Sequence, residues 1–164
     1  MAMKLKASVS ATRDRWLEQS IKAISDARHR YVKVGFVQNM RQNRLETPGT
    51  NAFVGYMQEH GVPSKGIPPR PFLIPAFLDC ADEAEAYIRQ GFEEALTDKG
   101  AIERGLGYAG TLIRDRAKQR IVESEGFEPL KPSTLKNRER IGFKGTKPLT
   151  HTGQLLNAIT YRVE

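Results

Sequence analysis

The sequence has little of several residue types on which common functions depend. Its single cysteine, Cys80, excludes a disulfide bond within the chain and a cysteine-based zinc cluster. Its three histidines, His29, His60 and His151, do not stand in a metal-binding spacing such as H-E-x-x-H. We therefore expect no metal, no cofactor and no zinc-dependent hydrolysis, and we expect Cys80 to be an ordinary core residue.

Long apolar stretches are also missing. No run of about 18 apolar residues occurs, so the sequence predicts no transmembrane helix. The polar start at residues 1–6 is not typical of a secretory signal peptide, and we expect a protein made in the cytoplasm. With 164 residues, of which 39% are hydrophobic and 27% charged, the chain suits one soluble domain over residues 1–164.

Charge is unevenly distributed along the chain. The formal net charge is +7, with basic residues in excess over 1–50 and 101–164 and acidic residues in excess over 51–100. Segments of opposite sign suit head-to-tail packing of identical subunits. Six cations also crowd one irregular stretch, which is usually a solvated surface but is also able to contact DNA phosphates. They are Lys131, Lys136, Arg138, Arg140, Lys144 and Lys147.

Hydrophobic periodicity predicts an α+β fold. Alternating apolar residues predict short strands at 4–10, 31–38 and 159–164. We expect a small, mainly antiparallel sheet packed against a long antiparallel helix pair, with long irregular loops. Helices are predicted at residues 13–28, 51–60, 75–98, 101–124 and 153–158, with a single helical turn from Pro132.

The predicted helix pair carries two apolar stripes. The stripe of the first helix consists of Phe77, Leu78, Ala81, Ile88, Phe92 and Leu96. The stripe of the second consists of Ile102, Leu106, Ala109, Ile113, Ala117 and Ile121. The glycines at 105, 107 and 110 spell the dinucleotide fingerprint G-x-G-x-x-G, but that motif must follow a strand. Here they predict close packing of the second helix against the first, or against a neighbouring subunit.

Carboxylates cluster near the start of the first helix of the pair, at Asp79, Asp82, Glu83 and Glu85. Paired carboxylates are able to bind Mg²⁺ or to serve in acid–base catalysis. Negative charge at a helix N-terminus also complements the helix dipole, and we favour this structural interpretation.

Several stretches, taken in order, resemble a known family. They are VKVGFV at 32–37 with a helix ending QEHG at 58–61, IPPRPFLIPAF at 67–77, PLKPSTL at 129–135 and KPLTHTGQLLNAITY at 147–161. Together they resemble the neck and tail-completion proteins of tailed bacteriophages. These include the lambdoid minor tail protein Z type, the related head–tail joining proteins and the virion-morphogenesis proteins of Mu-like phages. The resemblance covers about residues 30–164. Two positions depart from the family pattern, in which Ser or Thr often replaces Lys131 and Asp often replaces His151.

The resemblance implies a non-enzymatic structural subunit without a cofactor. It implies an α+β chain, made in the host cytoplasm, that forms a ring in the neck or at the head-proximal end of the tail. Its partners would be further copies of itself, the tail terminator or tail tube, and the head connector. Basic loops would then line a lumen through which phage DNA passes.

The candidate assembly interface combines three loops, at residues 39–50, 62–71 and 125–148. Arg70 and Phe72 are flanked by prolines and thus pre-ordered, which suits interface anchors. The alternative for Phe72 is a place in the core. The other members predicted for this interface are Lys131, Lys136, Arg138, Lys144 and Lys147.

Two other functions compete with the structural one. A phage-encoded DNA-binding or regulatory protein would use the basic stretch at 131–147, but the sequence contains no helix-turn-helix pattern. An enzyme such as a nuclease or peptidase would need convergent acidic or nucleophile–base residues, and the sequence does not suggest them.

Overall fold

A computed structural model of the chain describes residues 15–22, 25, 27–37 and 50–164. The predicted strand at 4–10 lies outside these residues, and so does the predicted loop at 39–50 except for Thr50. Within the predicted helix at 13–28, residues 15–22 are helical.

The sheet consists of two strands that lie near opposite ends of the described sequence. Strand β1 (Val32–Gly35) and strand β2 (Thr160–Val163) run antiparallel, with Val32 opposite Val163 and Gly35 opposite Thr160. Reciprocal backbone hydrogen bonds of 2.9 Å between Tyr31 and Glu164 extend the ladder by one pair. The prediction that the last strand returns to the sheet is confirmed.

Helix α1 (Asn51–His60) has the predicted bounds. The Thr50 hydroxyl caps it by accepting the Phe53 N–H at 3.2 Å, and Gly61 ends it with a φ of 73°. The proline-rich connection that follows is less extended than predicted. A short 3₁₀ turn at Pro63–Lys65 closes a small loop, in which Val62 and Ile67 form an isolated bridge.

The first helix of the pair is interrupted, so the prediction of one helix over 75–98 is wrong. The structure contains α2 (Leu73–Asp79) and α3 (Ala81–Glu94), separated by Cys80 with φ −125° and ψ 17°. At the break, the Cys80 N–H donates to Phe77 three residues back. Cys80 is buried, as the sequence predicts.

Helix α4 (Ala101–Glu123) matches its prediction and packs antiparallel against α2 and α3. The antiparallel sense follows from three contacts: Gly91 lies beside Gly105, Tyr87 beside Tyr108, and Asp79 beside Arg120. A Cβ on Gly105 would lie 2.6 Å from the Tyr87 carbonyl oxygen, so the two backbones nearly touch. The predicted close approach between the helices is confirmed.

Two shorter helices complete the chain, α5 (Pro132–Arg140) and α6 (Gln154–Ala158). Helix α5 is longer than the single turn predicted. The sheet packs on α4, where Gly110 leaves room for Tyr161 of β2 and Val32 of β1. Buried residues form two core clusters, one around Phe72, Ala117 and Ile121 and the other around Cys80, Ala84 and Ala109. The predicted α+β class is confirmed.

Candidate assembly surface

Helices α2 and α3 sort their apolar side chains by size. The residues that they bury are small: Ala76, Cys80, Ala84, Gly91 and Ala95. The close approach of α4 allows little else. Most large side chains lie outside, which corrects the predicted buried stripe, although Ile88 of that stripe is half-buried and packs against the core cluster around Cys80. The exposed ones define the α2–α3 face, which extends to Leu96 in the turn after α3. Their exposed fractions are 53% for Ile74, 49% for Phe77, 66% for Leu78, 41% for Phe92 and 45% for Leu96.

An apolar groove adjoins this face. It has a volume of about 490 Å³ and runs between β1 and the helices, with walls that include Val32, Val34, Ile74 and Phe77. Among the described residues that line it, Glu85 carries the charge. A groove of this composition suits an apolar side chain of another molecule rather than a polar reaction. Periodicity alone did not reveal it, because its walls come from β1 and from helices that are distant in sequence.

The basic stretch divides into exposed and engaged cations. Lys131, Lys136 and Lys144 are exposed, as predicted for an assembly or DNA-contact surface. Lys147 is exposed along most of its length, but its ammonium donates to the Val122 carbonyl oxygen at 2.6 Å. That carbonyl belongs to the last turn of α4, where a cation is favourable.

Arg138 lies inside the fold, which corrects its place in the predicted interface. Its side chain is 8% exposed, and its Nη1 donates to the Gly145 and Lys147 carbonyl oxygens, both at 2.9 Å. The guanidinium also lies 5.3 Å from the centroid of the Phe143 ring. Arg138 therefore stabilises the loop after α5, because one of its nitrogens binds two carbonyl oxygens of that loop.

Arg70 is also internal, at 6% exposed, and is not an anchor on the surface. Its Nε donates to the Glu128 carbonyl oxygen at 2.9 Å, and its Nη1 donates to Gln58 Oε1 at 3.3 Å. A weaker bond of 3.4 Å runs from Nη2 to the Pro129 carbonyl oxygen. Arg70 thus ties the start of the basic stretch to α1.

Phe72 is a core residue, so the alternative considered for it is the correct one. It is 1% exposed and contacts Phe36 edge-to-face, with ring centroids 6.3 Å apart. The proline-flanked block at 67–77 is therefore pre-ordered, but it orders the chain's own core. The prolines of the sequence predicted a restricted backbone, and they did not specify which way the side chains point.

A small cavity separates the two buried arginines. Its volume is about 160 Å³, and Arg70, Arg138, His151 and Thr152 contribute to its walls. Burial lowers the pKa of both guanidinium groups. The charge of Arg70 lowers the pKa of Arg138 further, whereas the Glu128 carboxylate raises that of Arg70.

Two members of the acidic cluster considered for catalysis form ion pairs. Asp79 pairs with Arg120 at 2.9 Å, and Glu85 pairs with Arg89 at 2.6 Å. Within the described ranges, no three His, Cys, Asp or Glu residues lie close enough together to hold a metal ion. The His60 ring stacks on Tyr56, with centroids 4.5 Å apart.

Comparison with known proteins gave no match. The chain matches no protein-family model, no curated protein and no solved structure. None of the helices in the described part of the chain is long and apolar enough to cross a membrane. The surface chemistry of the chain is therefore what supports a function.

Proposed function

We propose that this chain is a structural virion protein of a tailed bacteriophage. It forms a ring at the head–tail junction or at the head-proximal end of the tail, and it completes tail assembly or joins head to tail. The observation that carries the proposal is the α2–α3 face. A subunit that buries small side chains against itself and leaves large ones outside gains stability when a neighbour covers them.

Charge supports contact between copies of the chain. Helix α3 exposes Asp82, Glu83 and Glu85 beside the apolar groove, whereas Lys131 and Lys136 are exposed on the basic stretch. A heterologous contact that repeats around an axis closes into a ring, and it joins two different surfaces of one subunit. An acidic surface and a basic surface are complementary in this sense. The sequence resemblance to neck and tail-completion proteins points to the same assembly.

The proposed ring needs no catalytic group or cofactor. Its partners are further copies of the chain, the tail terminator or tail tube, and the head connector. The exposed Lys131, Lys136 and Lys144 would contact DNA phosphates weakly if they face a lumen, since such contacts need charge and flexibility but no base readout.

The experiment is electron microscopy of lysates from the parent phage with this gene deleted. Filled heads beside separate, full-length tails are the expected result, and the wild-type gene supplied in trans should restore virions. Intact virions with normal infectivity in the deletion lysate would contradict the structural role.

The exposed lysines also favour a second candidate, a DNA-binding or regulatory protein. Its test is fluorescence anisotropy of labelled duplex DNA against the purified chain over a range of salt concentrations. Tight binding that weakens steeply with salt and is lost when Lys131, Lys136 and Lys144 are changed to Met would favour this candidate. Weak binding with a shallow salt dependence would favour the ring.

A further inference from the structure

Two arginines that form no ion pair with a carboxylate in the described part of the chain line one small cavity. Arg70 and Arg138 are both buried, yet all five of their hydrogen bonds to described residues go to neutral oxygens, four carbonyls of the main chain and one side-chain amide. Buried cations are normally paired with an anion, because desolvation of an unpaired charge is costly. The cavity between them is where such an anion would reduce the repulsion.

The hydrogen-bonding capacity of the two guanidiniums is incompletely used. A guanidinium has five N–H donors. The Gly145 and Lys147 carbonyl oxygens accept both donors on Nη1 of Arg138. Its Nε and Nη2 donate to none of the described residues. Both nitrogens remain accessible to solvent, because neither belongs to the fully buried atoms without a hydrogen-bond partner in the described chain. The two bonds made by Nη1 and Nη2 of Arg70 are long, at 3.3 and 3.4 Å.

Nearby acidic groups compensate this charge only in part, through the effect of Glu128 on Arg70. The Glu59 carboxylate already accepts three backbone N–H groups at the start of α2. The Glu128 residue is exposed and forms no ion pair within 4.0 Å with a described cation, although its charge is felt by Arg70. Two polar groups, His151 and Thr152, add further donors to the wall of the cavity.

We propose that the cavity between Arg70 and Arg138 binds a phosphate group. A carboxylate is planar, and one guanidinium satisfies its two oxygens. Two separate guanidiniums, an imidazole and a hydroxyl line this cavity, and donors supplied by several groups instead suit a tetrahedral oxyanion. The cavity has room for several water molecules and hence for such an ion. This inference is independent of the proposed ring.

The test uses the full chain and inorganic phosphate as the probe. Thermal unfolding and isothermal titration calorimetry in phosphate are compared with chloride and acetate at matched ionic strength. Phosphate should raise the unfolding temperature more than either, and the side-chain Nε–H resonances of Arg70 and Arg138 should shift in NMR spectra. The variant Arg138→Lys should weaken phosphate binding about tenfold or more, because Lys lacks the fork of donors.

A matched control is Arg140→Lys, an exposed arginine two residues along the same helix, which should leave phosphate affinity unchanged. If Arg138→Lys does not fold, His151→Ala should weaken binding about threefold or more, since it removes one donor without breaking a hydrogen bond between described residues. Equal stabilisation by phosphate, chloride and acetate, or equal loss in Arg140→Lys, would overturn the proposal.

A further arm separates two sources of the phosphate group. A thymidine dinucleotide that competes with inorganic phosphate would identify a phosphodiester of nucleic acid as the ligand. A dinucleotide that does not compete, while inorganic phosphate still binds, would identify free phosphate. Both results support a phosphate site in the cavity, and they differ in what occupies it.

Discussion

The carboxylate of Glu59 accepts the backbone N–H of Phe72 at 2.8 Å. The same carboxylate accepts the N–H groups of Leu73 at 3.0 Å and Ile74 at 2.8 Å. Three free N–H groups at the start of α2 are thus satisfied by one side chain at the end of α1. The contact fixes where α2 begins, and it places Phe72 in the core.

We expect Glu59→Gln to lower the free energy of unfolding by about 1–3 kcal/mol, because a neutral amide is a weaker acceptor for the three backbone N–H donors. Urea denaturation measures the change. Glu83→Gln, in the exposed first turn of α3, is the control and should change stability by about 0.5 kcal/mol or less. Equal effects of the two substitutions would show that the hydrogen bonds of Glu59 to the start of α2 do not stabilise the fold.

Gly105 and Gly107 lie two residues apart on α4 and should respond oppositely to alanine. A Cβ on Gly105 would lie 2.6 Å from the Tyr87 carbonyl oxygen, whereas a Cβ on Gly107 would have its nearest neighbour at 4.0 Å. Gly105→Ala should destabilise by about 1–3 kcal/mol through overpacking. Gly107→Ala should stabilise by up to about 1 kcal/mol through helix propensity. Thermal and urea unfolding check both, and a neutral Gly105→Ala would refute the tight contact.

Leu78→Lys tests the α2–α3 face directly. The side chain is 66% exposed, so the isolated chain should keep its stability to within about 0.5 kcal/mol. Complementation of the gene-deleted phage should nevertheless fail or fall sharply, because a charge would be buried at the proposed contact. Val122→Lys, at a 50% exposed apolar position on α4, is the matched control. Full complementation by Leu78→Lys would remove this face from the proposed interface.

The Glu164 side chain links the two strands in a pH-dependent way. It accepts hydrogen bonds from Lys33 Nζ at 2.7 Å and from the Tyr31 hydroxyl at 2.9 Å, which hold the pKa of Glu164 below its ordinary value. The contribution of Glu164 to stability is therefore complete above the pKa that its carboxyl has in the unfolded chain. It is lost as the pH falls through the lower pKa of that carboxyl in the folded chain.

We expect Lys33→Met to raise the pKa of Glu164 toward the ordinary value, which an NMR titration of the side-chain carboxyl resonance measures. Lys99→Met removes an exposed cation elsewhere and should leave that titration unchanged. An unaltered titration in Lys33→Met would show that the contact between Lys33 and Glu164 does not form in solution.

The parts of the fold that local sequence signals control were predictable. Helix α1 has the predicted bounds, and the regular apolar stripe of α4 places Leu106, Ala109 and Ile113 in the core. The glycines of α4 predicted a close neighbour. Alternation predicted both described strands, and β2 pairs with β1 while its Tyr161 packs against α4 at Gly110.

The candidate site was harder to predict, because burial of a charged or aromatic side chain depends on distant residues. Arg70 finds its acceptors at Gln58, Glu128 and Pro129, and Arg138 finds them beyond its own helix. No spacing rule relates these positions. The prolines around Phe72 restrict the backbone, but they do not predict whether the Phe72 side chain points to the core or to the surface.

The sequence by itself determined the α+β class, the helix pair and the basic character of the stretch at 125–148, since these follow from periodicity, glycine placement and charge. Tertiary structure decided which side of α2 and α3 is buried. At Gly91, α3 lies so close to Gly105 of α4 that a Cβ would not fit between them, and the buried residues of α2 and α3 are small, whereas Phe77 and Leu78 lie outside. Tertiary structure also brought Arg70 and Arg138 to one cavity, because only the folded chain joins elements so far apart in sequence.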